Sequence, residues 1–270
     1  MGKFDGVLLA SDFDSGAPVP PLPERNREAL EYFMTHGGRF AIATGRALPA
    51  FLRHAGDVPM NAPGVVCNGA AIYDFEAGEY LETAMLNAAA RDRGQAVLDR
   101  FPGVAVEAYH IDNIIHVVHP NSISRQHEHM THVSLTEAPS LPEVPLPLGK
   151  LLFEADHETL ENVLSFLTAQ GWAEDYELIF SVSHLLEMTI KGASKGGMIR
   201  RLAARLGISM DHVYCAGDEA NDLSMLRAAN QGFAPANASA AVRESGVTVV
   251  CDAREGAIAD IVEILDRKYS

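Results

Sequence analysis

The chain is poor in cysteine, in positive charge and in long apolar runs, and each shortage removes a class of protein. Three cysteines among 270 residues, Cys67, Cys215 and Cys251, have no short metal-binding spacing. A disulfide scaffold and a Cys-x-x-Cys metal knuckle are thereby excluded, and the thiols read as small core hydrophobes. Lysine and arginine number 21 against 36 acids, a formal net charge of −15. A phosphate backbone or an anionic membrane surface calls for clustered cations, so neither nucleic acid nor membrane is an expected partner. No apolar run approaches the roughly 18–20 residues of a membrane span. Val7 to Ala10 is too short, and too soon followed by acid, for a signal peptide, so the cytoplasm is the expected compartment. A Gly-x-Gly-x-x-Gly fingerprint, repeats and low-complexity tracts are also missing, and Gly149-Lys150 runs into Leu151 rather than a P-loop hydroxyl.

What is present is an alternation of short apolar runs and helical patterns, with 47% hydrophobic residues, enough for one or two cores. The run Val7 to Ala10 stops at Ser11-Asp12-Phe13-Asp14-Ser15-Gly16. If the run is a buried strand, Asp12 and Asp14 sit just past its C-terminal end, where open α/β sheets bind ligands. Two acids there could hold a divalent cation while one attacks an electrophile; the same pattern also describes a turn with solvated acids. Glu24 to His36 has helical spacing and is closed by Gly37-Gly38, and Arg39 to Ala43 forms a second strand that runs into Thr44-Gly45-Arg46. A hydroxyl and an unhindered N–H after a strand suit a phosphate oxygen, or Thr44 is simply a helix N-cap. Gly64 to Cys67 reads as a third strand ending in Asn68-Gly69, followed by a hairpin around Ala77-Gly78. Strand, helix, strand, helix, strand implies a parallel sheet with crossovers.

From about Leu81 to Ser183 the pattern becomes that of a separate α/β module with a covered antiparallel sheet, containing a polar, proline-rich stretch between His119 and Lys150. Six histidines gather here: His110, His116, His119, His127, His129 and His132. Their spacings could hold a metal, but no cysteine or carboxylate pattern accompanies them, which favours a solvated or substrate-contacting loop. Leu185 to Ile190 returns to strand character ahead of Gly192-Ala193-Ser194-Lys195-Gly196, which fits the nucleophile elbow Gly-x-Ser-x-Gly. The triad that should follow is missing, since the one later histidine, His212, lies close by in sequence. Lys195 is the more informative residue. Val213 to Ala216 then ends in Gly217-Asp218-Glu219-Ala220-Asn221-Asp222. Acids and an amide at the end of a buried strand are costly to gather without a compensating cation, and Mg2+ takes oxygen ligands. A helix macrodipole would explain Asp222 alone.

Four separated pieces, Asp12-Phe13-Asp14, Thr44-Gly45-Arg46, Lys195 and Gly217-Asp218-Glu219-Ala220-Asn221-Asp222 with Met225, together resemble the haloacid dehalogenase superfamily of phosphatases, in particular its Cof-type branch. Asn68-Gly69 and the large α/β insertion look like that branch too. The resemblance implies an α/β fold: a Rossmann-like core with a parallel sheet, made of about residues 1–82 and 186–270, and an inserted α/β cap of about 83–185. It makes Asp12 the nucleophile forming an aspartyl phosphate, Asp14 the general acid and base, and Asp12, Asp14 and Asp218 the ligands of Mg2+. Thr44, with Gly45, Arg46, Asn68 and Asn221, would surround the phosphate, Lys195 would neutralise its oxygens, and Asp222 would support the site from behind. The family follows its second aspartate with Gly-Thr, where this chain has Ser15-Gly16, a departure that bears on rate.

The implied activity is Mg2+-dependent hydrolysis of a small phosphorylated metabolite, a sugar phosphate or a phosphorylated cofactor. The alternatives are a phosphomutase, a catalytically weak protein that binds phosphorylated ligands, and a serine hydrolase acting through Ser194. The number of subunits is not legible in the sequence.

Overall fold

The computed structural model describes residues 2–13 and 21–270, so Asp14 and the Ser15-Gly16 pair lie outside the described residues. Two sheets dominate. The first is wholly parallel, built from β1 (Leu8–Ser11), β2 (Arg39–Ile42), β12 (Val213–Ala216), β13 (Gln231–Pro235) and β14 (Thr248–Val250), in the order β14-β13-β12-β1-β2. Its strands read as near-continuous apolar runs because both faces are covered. On one face Leu9, Phe40, Ile42, Tyr214 and Phe233 pack against Leu30 and Phe33 of α1 (Glu24–Thr35) and Ile261, Val262 and Leu265 of α9 (Ala257–Lys268). On the other, Leu8, Ala10, Ala41, Val213 and Cys215 meet Met198, Ile199 and Leu202 of α6 (Lys195–Arg205) and Met225 and Leu226 of α7 (Leu223–Ala228). The period-two alternation of strand side chains produces this division directly. The buried Cys215 is one of these core hydrophobes.

The chain leaves β1 toward β2 on one side, while β12 lies on the other, with Ser11 opposite Ala216 in register. This reversal opens a crevice at the C-terminal ends of β1 and β12, the place where such sheets bind ligands. Asp12 and Asp218 follow the two strand ends at the crevice. Beside β2, a parallel bridge from Ala43 to Val65 attaches β3 (Gly64–Val66), which also begins a small antiparallel sheet with β4 (Ala71–Asp74) and β5 (Glu79–Thr83). The expected hairpin around Ala77-Gly78 is the β4–β5 turn.

The second large sheet has the order β10-β11-β9-β6-β7-β8, from β6 (Ala105–His110), β7 (Ile115–Val118), β8 (Leu135–Glu137), β9 (Leu148–Glu154), β10 (Tyr176–Val182) and β11 (Leu185–Ile190). One face carries Val106, Ala108, Leu151, Phe153, Leu186 and Met188 against α3 (Ala89–Arg100) and α5 (His157–Thr168). Two short helices, α2 (Leu48–Leu52) and α8 (Ala240–Arg243), complete the connections of the parallel part.

Two sequence expectations change here. Leu185 to Ile190, expected to reopen the parallel part, is β11 and pairs antiparallel with β9 and β10, so the second sheet runs to Ile190. The stretch between His119 and Lys150, given no elements in the sequence reading beyond being polar and proline-rich, contains α4 (Ser122–Thr131) and β8. α4 buries only Ser124 and carries few apolar residues, but it begins with a capping box in which the Asn121 side chain accepts from Ser124 N–H and the Ser124 hydroxyl accepts from Asn121 N–H. Capping and the crossover from β7 to the parallel β8, rather than an apolar stripe, define this helix.

Candidate active site at the parallel strand ends

Five loops converge on the crevice. The Asp12 N–H donates to Ala216 O at 2.8 Å, so the backbone after β1 stays in register with the end of β12. From α6 comes Lys195, only 1% exposed, whose Nζ donates to Asp12 Oδ1 and to Asp222 Oδ1, both at 2.6 Å. Burial by itself would lower the pKa of this lysine, but the charges and hydrogen bonds of Asp12 and Asp222 more than reverse that and raise it above its ordinary value. Lys195 is therefore a permanent cation. The other oxygen of Asp222 accepts from the N–H groups of Asp218 and Glu219, at 2.9 and 3.1 Å, which fixes the loop carrying Asp218.

The remaining loops are tied to one another. Thr44 is fully buried; its hydroxyl donates to Phe13 O at 3.2 Å and accepts from Arg46 N–H at 3.1 Å. Thr44 O and Arg46 O accept in turn from Asn68 N–H and Cys67 N–H, both at 3.0 Å. Cys67 and Asn68 both have φ of 53°, a left-handed conformation uncommon outside glycine and retained where surrounding contacts over-determine it. The turn brings Gly69, at φ +103°, against Ser194, where an added Cβ would lie 2.5 Å from the carbonyl oxygen. Gly196 likewise lets α6 approach α7, since a Cβ there would fall 2.1 Å from Ser224 O. These two close approaches seat Lys195 between its carboxylates.

The amide of Asn221 donates to Asn68 Oδ1 at 3.0 Å, and Asn68 Nδ2 donates to Glu187 Oε1 at 2.6 Å. Glu187 belongs to β11 of the second sheet, and its other oxygen lies 3.2 Å from Lys150 Nζ, on β9. Lys150 Nζ in turn lies 3.4 Å from Gly45 O and 4.3 Å from the centre of the Tyr109 ring. The second sheet thus rests on the loops of the first through a buried ion pair. Sequence reasoning passed over both residues: Lys150 was weighed only as a failed P-loop, and Glu187 not at all. The signal was a charge inside a strand otherwise apolar, which has to find a partner when buried.

Of the residues expected at the site, Asp12, Asp218, Asp222 and Lys195 are brought together, and Thr44, Gly45, Arg46, Asn68 and Asn221 line the adjoining loops. Asp14 lies outside the described residues. Ser194 does something else: its hydroxyl accepts from Gly197 N–H at 3.1 Å as the N-cap of α6. His212 Nδ1 sits 2.8 Å from the Tyr269 hydroxyl. The elbow motif is a helix start.

Asp12, Asp218 and Asp222 each present a carboxylate oxygen within 4.8 Å of the others. An all-oxygen donor set fits a hard cation such as Mg2+ better than it fits a metal seeking thiolate or imidazole. Carboxylate, buried ammonium, cation-compatible acids and backbone-rich loops at a strand-end crevice are the parts that phosphoryl transfer uses.

Residues 9–262 match the family described as haloacid dehalogenase-like hydrolase. The chain belongs to that family. It is 24% identical over 282 residues to the pyridoxal phosphate phosphatase YbhA of Escherichia coli (strain K12), a match covering 96% of this chain and 95% of the relative. It is 26% identical over 241 residues to the HMP-PP phosphatase of Cronobacter sakazakii (strain ATCC BAA-894), covering 88% and 84%. Among solved structures, the haloacid dehalogenase subclass IIB sugar phosphatase BT4131 superposes with a TM-score of 0.80 at 22% identity, covering 96% of this chain and 99% of that one. The resemblance read from the four motifs, the α/β fold with its inserted second sheet, and the assignment to the phosphatases of this family are all borne out.

Replacing Lys195 with Met should destabilise the protein by roughly 3–5 kcal/mol, because Asp12 and Asp222 lose their shared cation while one of them stays fully buried. Urea unfolding with an unchanged slope checks this. Ser194→Ala should cost only about 1 kcal/mol, the worth of an N-cap, and leave turnover untouched; loss of turnover would restore the serine reading.

Proposed function

We propose that this chain is an Mg2+-dependent phosphomonoester hydrolase for a small phosphorylated metabolite, working through an aspartyl phosphate on Asp12. The observation that carries the proposal is the buried Lys195 held 2.6 Å from both Asp12 and Asp222, beside Asp218. Lys195 holds Asp12 in place at the end of β1, and the Asp12 carboxylate is the proposed nucleophile toward phosphorus. The same ammonium lies beside the charge that moves onto the phosphoryl oxygens as the leaving group departs. Asp14, two residues on, is the proposed proton donor to the leaving oxygen and then the base that activates water. Thr44 Oγ1 already has a donor and an acceptor, and its contribution to phosphate binding combines a hydroxyl with a loop backbone that it organises. Asn68 and Asn221 place amide groups on the same side, and Asp222 acts by holding Lys195 and the Asp218 loop. When bound by Asp12, Asp218 and the backbone of Asp14, Mg2+ would neutralise the acids and the incoming phosphate dianion.

The division of labour follows the two sheets. The parallel part, about residues 1–82 and the chain after the second sheet, would carry the chemistry, and the inserted module, about 83–185 and extended by β11 to Ile190, would cover it. Lys150 and Glu187 face the phosphate loops from that cover, a donor and an acceptor suited to the hydroxyls or ring substituents of a small leaving group. The names of the relatives, phosphatases of pyridoxal phosphate, HMP-PP and sugars, support a substrate of this size.

Phosphate release over a panel of sugar phosphates and phosphorylated cofactors should require Mg2+ and vanish in Asp12→Asn, which keeps the shape of the side chain without its nucleophilicity. Turnover that survives Asp12→Asn, or that persists in chelator, contradicts the proposal; a phosphoryl group relocated rather than released would indicate a mutase. Lys150→Gln should change the ratio of kcat/KM between preferred and poor substrates by about 10- to 100-fold, the worth of a charged hydrogen bond. An unchanged ranking would remove the second sheet from specificity.

A further inference from the structure

We propose that Glu107, His127 and Glu154 form a second divalent-metal site, of a kind that suits Zn2+, between α4 and the second sheet. Glu107 stands on β6, Glu154 on β9 and His127 on α4. The histidines of this module were expected to lack carboxylate partners, and local spacing shows none; the fold brings two from distant strands. His127 Nδ1 lies 3.1 Å from Glu107 Oε1 and 3.2 Å from Glu154 Oε1, and one ligand atom from each residue falls within 4.8 Å of the others. With metal bonds of about 2.0–2.2 Å, neighbouring atoms of a tetrahedral shell stand about 3.3–3.6 Å apart, so the two contacts of His127 need to open by only a few tenths of an ångström.

An independent observation points to a ligand. Glu154 is 0% exposed, yet it shares its one polar neighbour, His127 Nδ1 at 3.2 Å, with Glu107 and has no further hydrogen-bond donor among the described residues. Its Oε1 has only the ion-pair contact to the nitrogen that already serves Glu107, and its Oε2 has nothing. A carboxylate without its full set of donors is the group a cation would complete.

The charge count agrees. Glu107, Glu154 and the neighbouring Glu187 bring three negative charges, against one ammonium on Lys150 and at most one imidazolium on His127. That leaves a buried charge over. A divalent cation with neutral imidazole brings the group to balance. The surroundings also resemble the outer shell of a metal site, since the Tyr109 hydroxyl donates to Glu107 Oε2 at 2.8 Å and leaves Oε1 turned toward His127. The His127 side chain is 17% exposed, an entry path from solvent. Three protein ligands leave a fourth position for water.

The test needs no substrate and does not depend on the phosphatase reading. The full chain, freed of metal by chelator, is dialysed against Zn2+ in the presence of excess Mg2+, which occupies the all-oxygen cluster of Asp12 and Asp218. One Zn2+ per chain should be retained, and Co2+ in its place should show the intense visible bands of a tetrahedral site. Glu154→Gln should weaken retention by at least about 100-fold, since loss of an outer partner alone costs 10- to 100-fold. Tyr109→Phe, which keeps the packing, should weaken it by about 10-fold or more and covers the case in which the first variant fails to fold. Circular dichroism establishes folding for both. No retained Zn2+, or Zn2+ unaffected by either folded variant, overturns the proposal.

Discussion

One ammonium group shared by two carboxylates under almost complete burial is the interaction on which the rest of the site depends. β1 and β12 lie side by side and run the same way, so whatever follows their C-terminal ends is forced together. Here the followers are acids. Asp12 and Asp222 within reach of one another repel strongly in a dry crevice, and the ammonium of Lys195 turns that repulsion into two short hydrogen bonds. Its placement is a backbone matter. Ser194 caps α6, Gly69 and Gly196 allow neighbouring chains to pass where a methyl group would not fit, and the lysine emerges from the first turn of the helix.

A similar rule governs the second sheet. β9 is buried at every position yet carries Lys150 and Glu154. Neither charge is tolerable alone, and both face away from the apolar side that packs on α3 and α5. Lys150 joins Glu187 and so reaches the loops of the first sheet; Glu154 joins His127 and Glu107. Asn68 links the two halves by accepting from Asn221 while donating to Glu187. Under the proposed function this line of polar groups, lying between the two sheets, is the part placed to meet the leaving group.

The parallel part was legible because short apolar runs ending in polar clusters report both the strands and the crevice. Asp12, Thr44 and Asp218 stood out as candidates at those endings, and with Lys195 they took their roles from the resemblance of the four motifs taken together. The assignment of β11 to the parallel part failed because a buried apolar strand has the same composition in either sheet, and only pairing with β9 decides between them. α4 was missed because its sequence is polar almost throughout and buries only Ser124, so few apolar residues mark it as a helix. The partners of His127 were hidden for a different reason: Glu107 and Glu154 are 20 and 27 residues away and meet it only across the sheet. Charged residues inside apolar strands were the readable trace of both buried partnerships of the second sheet.

The central claim is that Asp12 becomes covalently phosphorylated while Lys195 holds it in place. Rapid acid quenching during turnover of a phosphate monoester, followed by peptide mass spectrometry, reads this directly. The phosphoryl group should be found on the peptide containing Asp12 and should be missing from Asp12→Asn. Phosphate release with no phosphorylated peptide, or with the group on another residue, would contradict the claim.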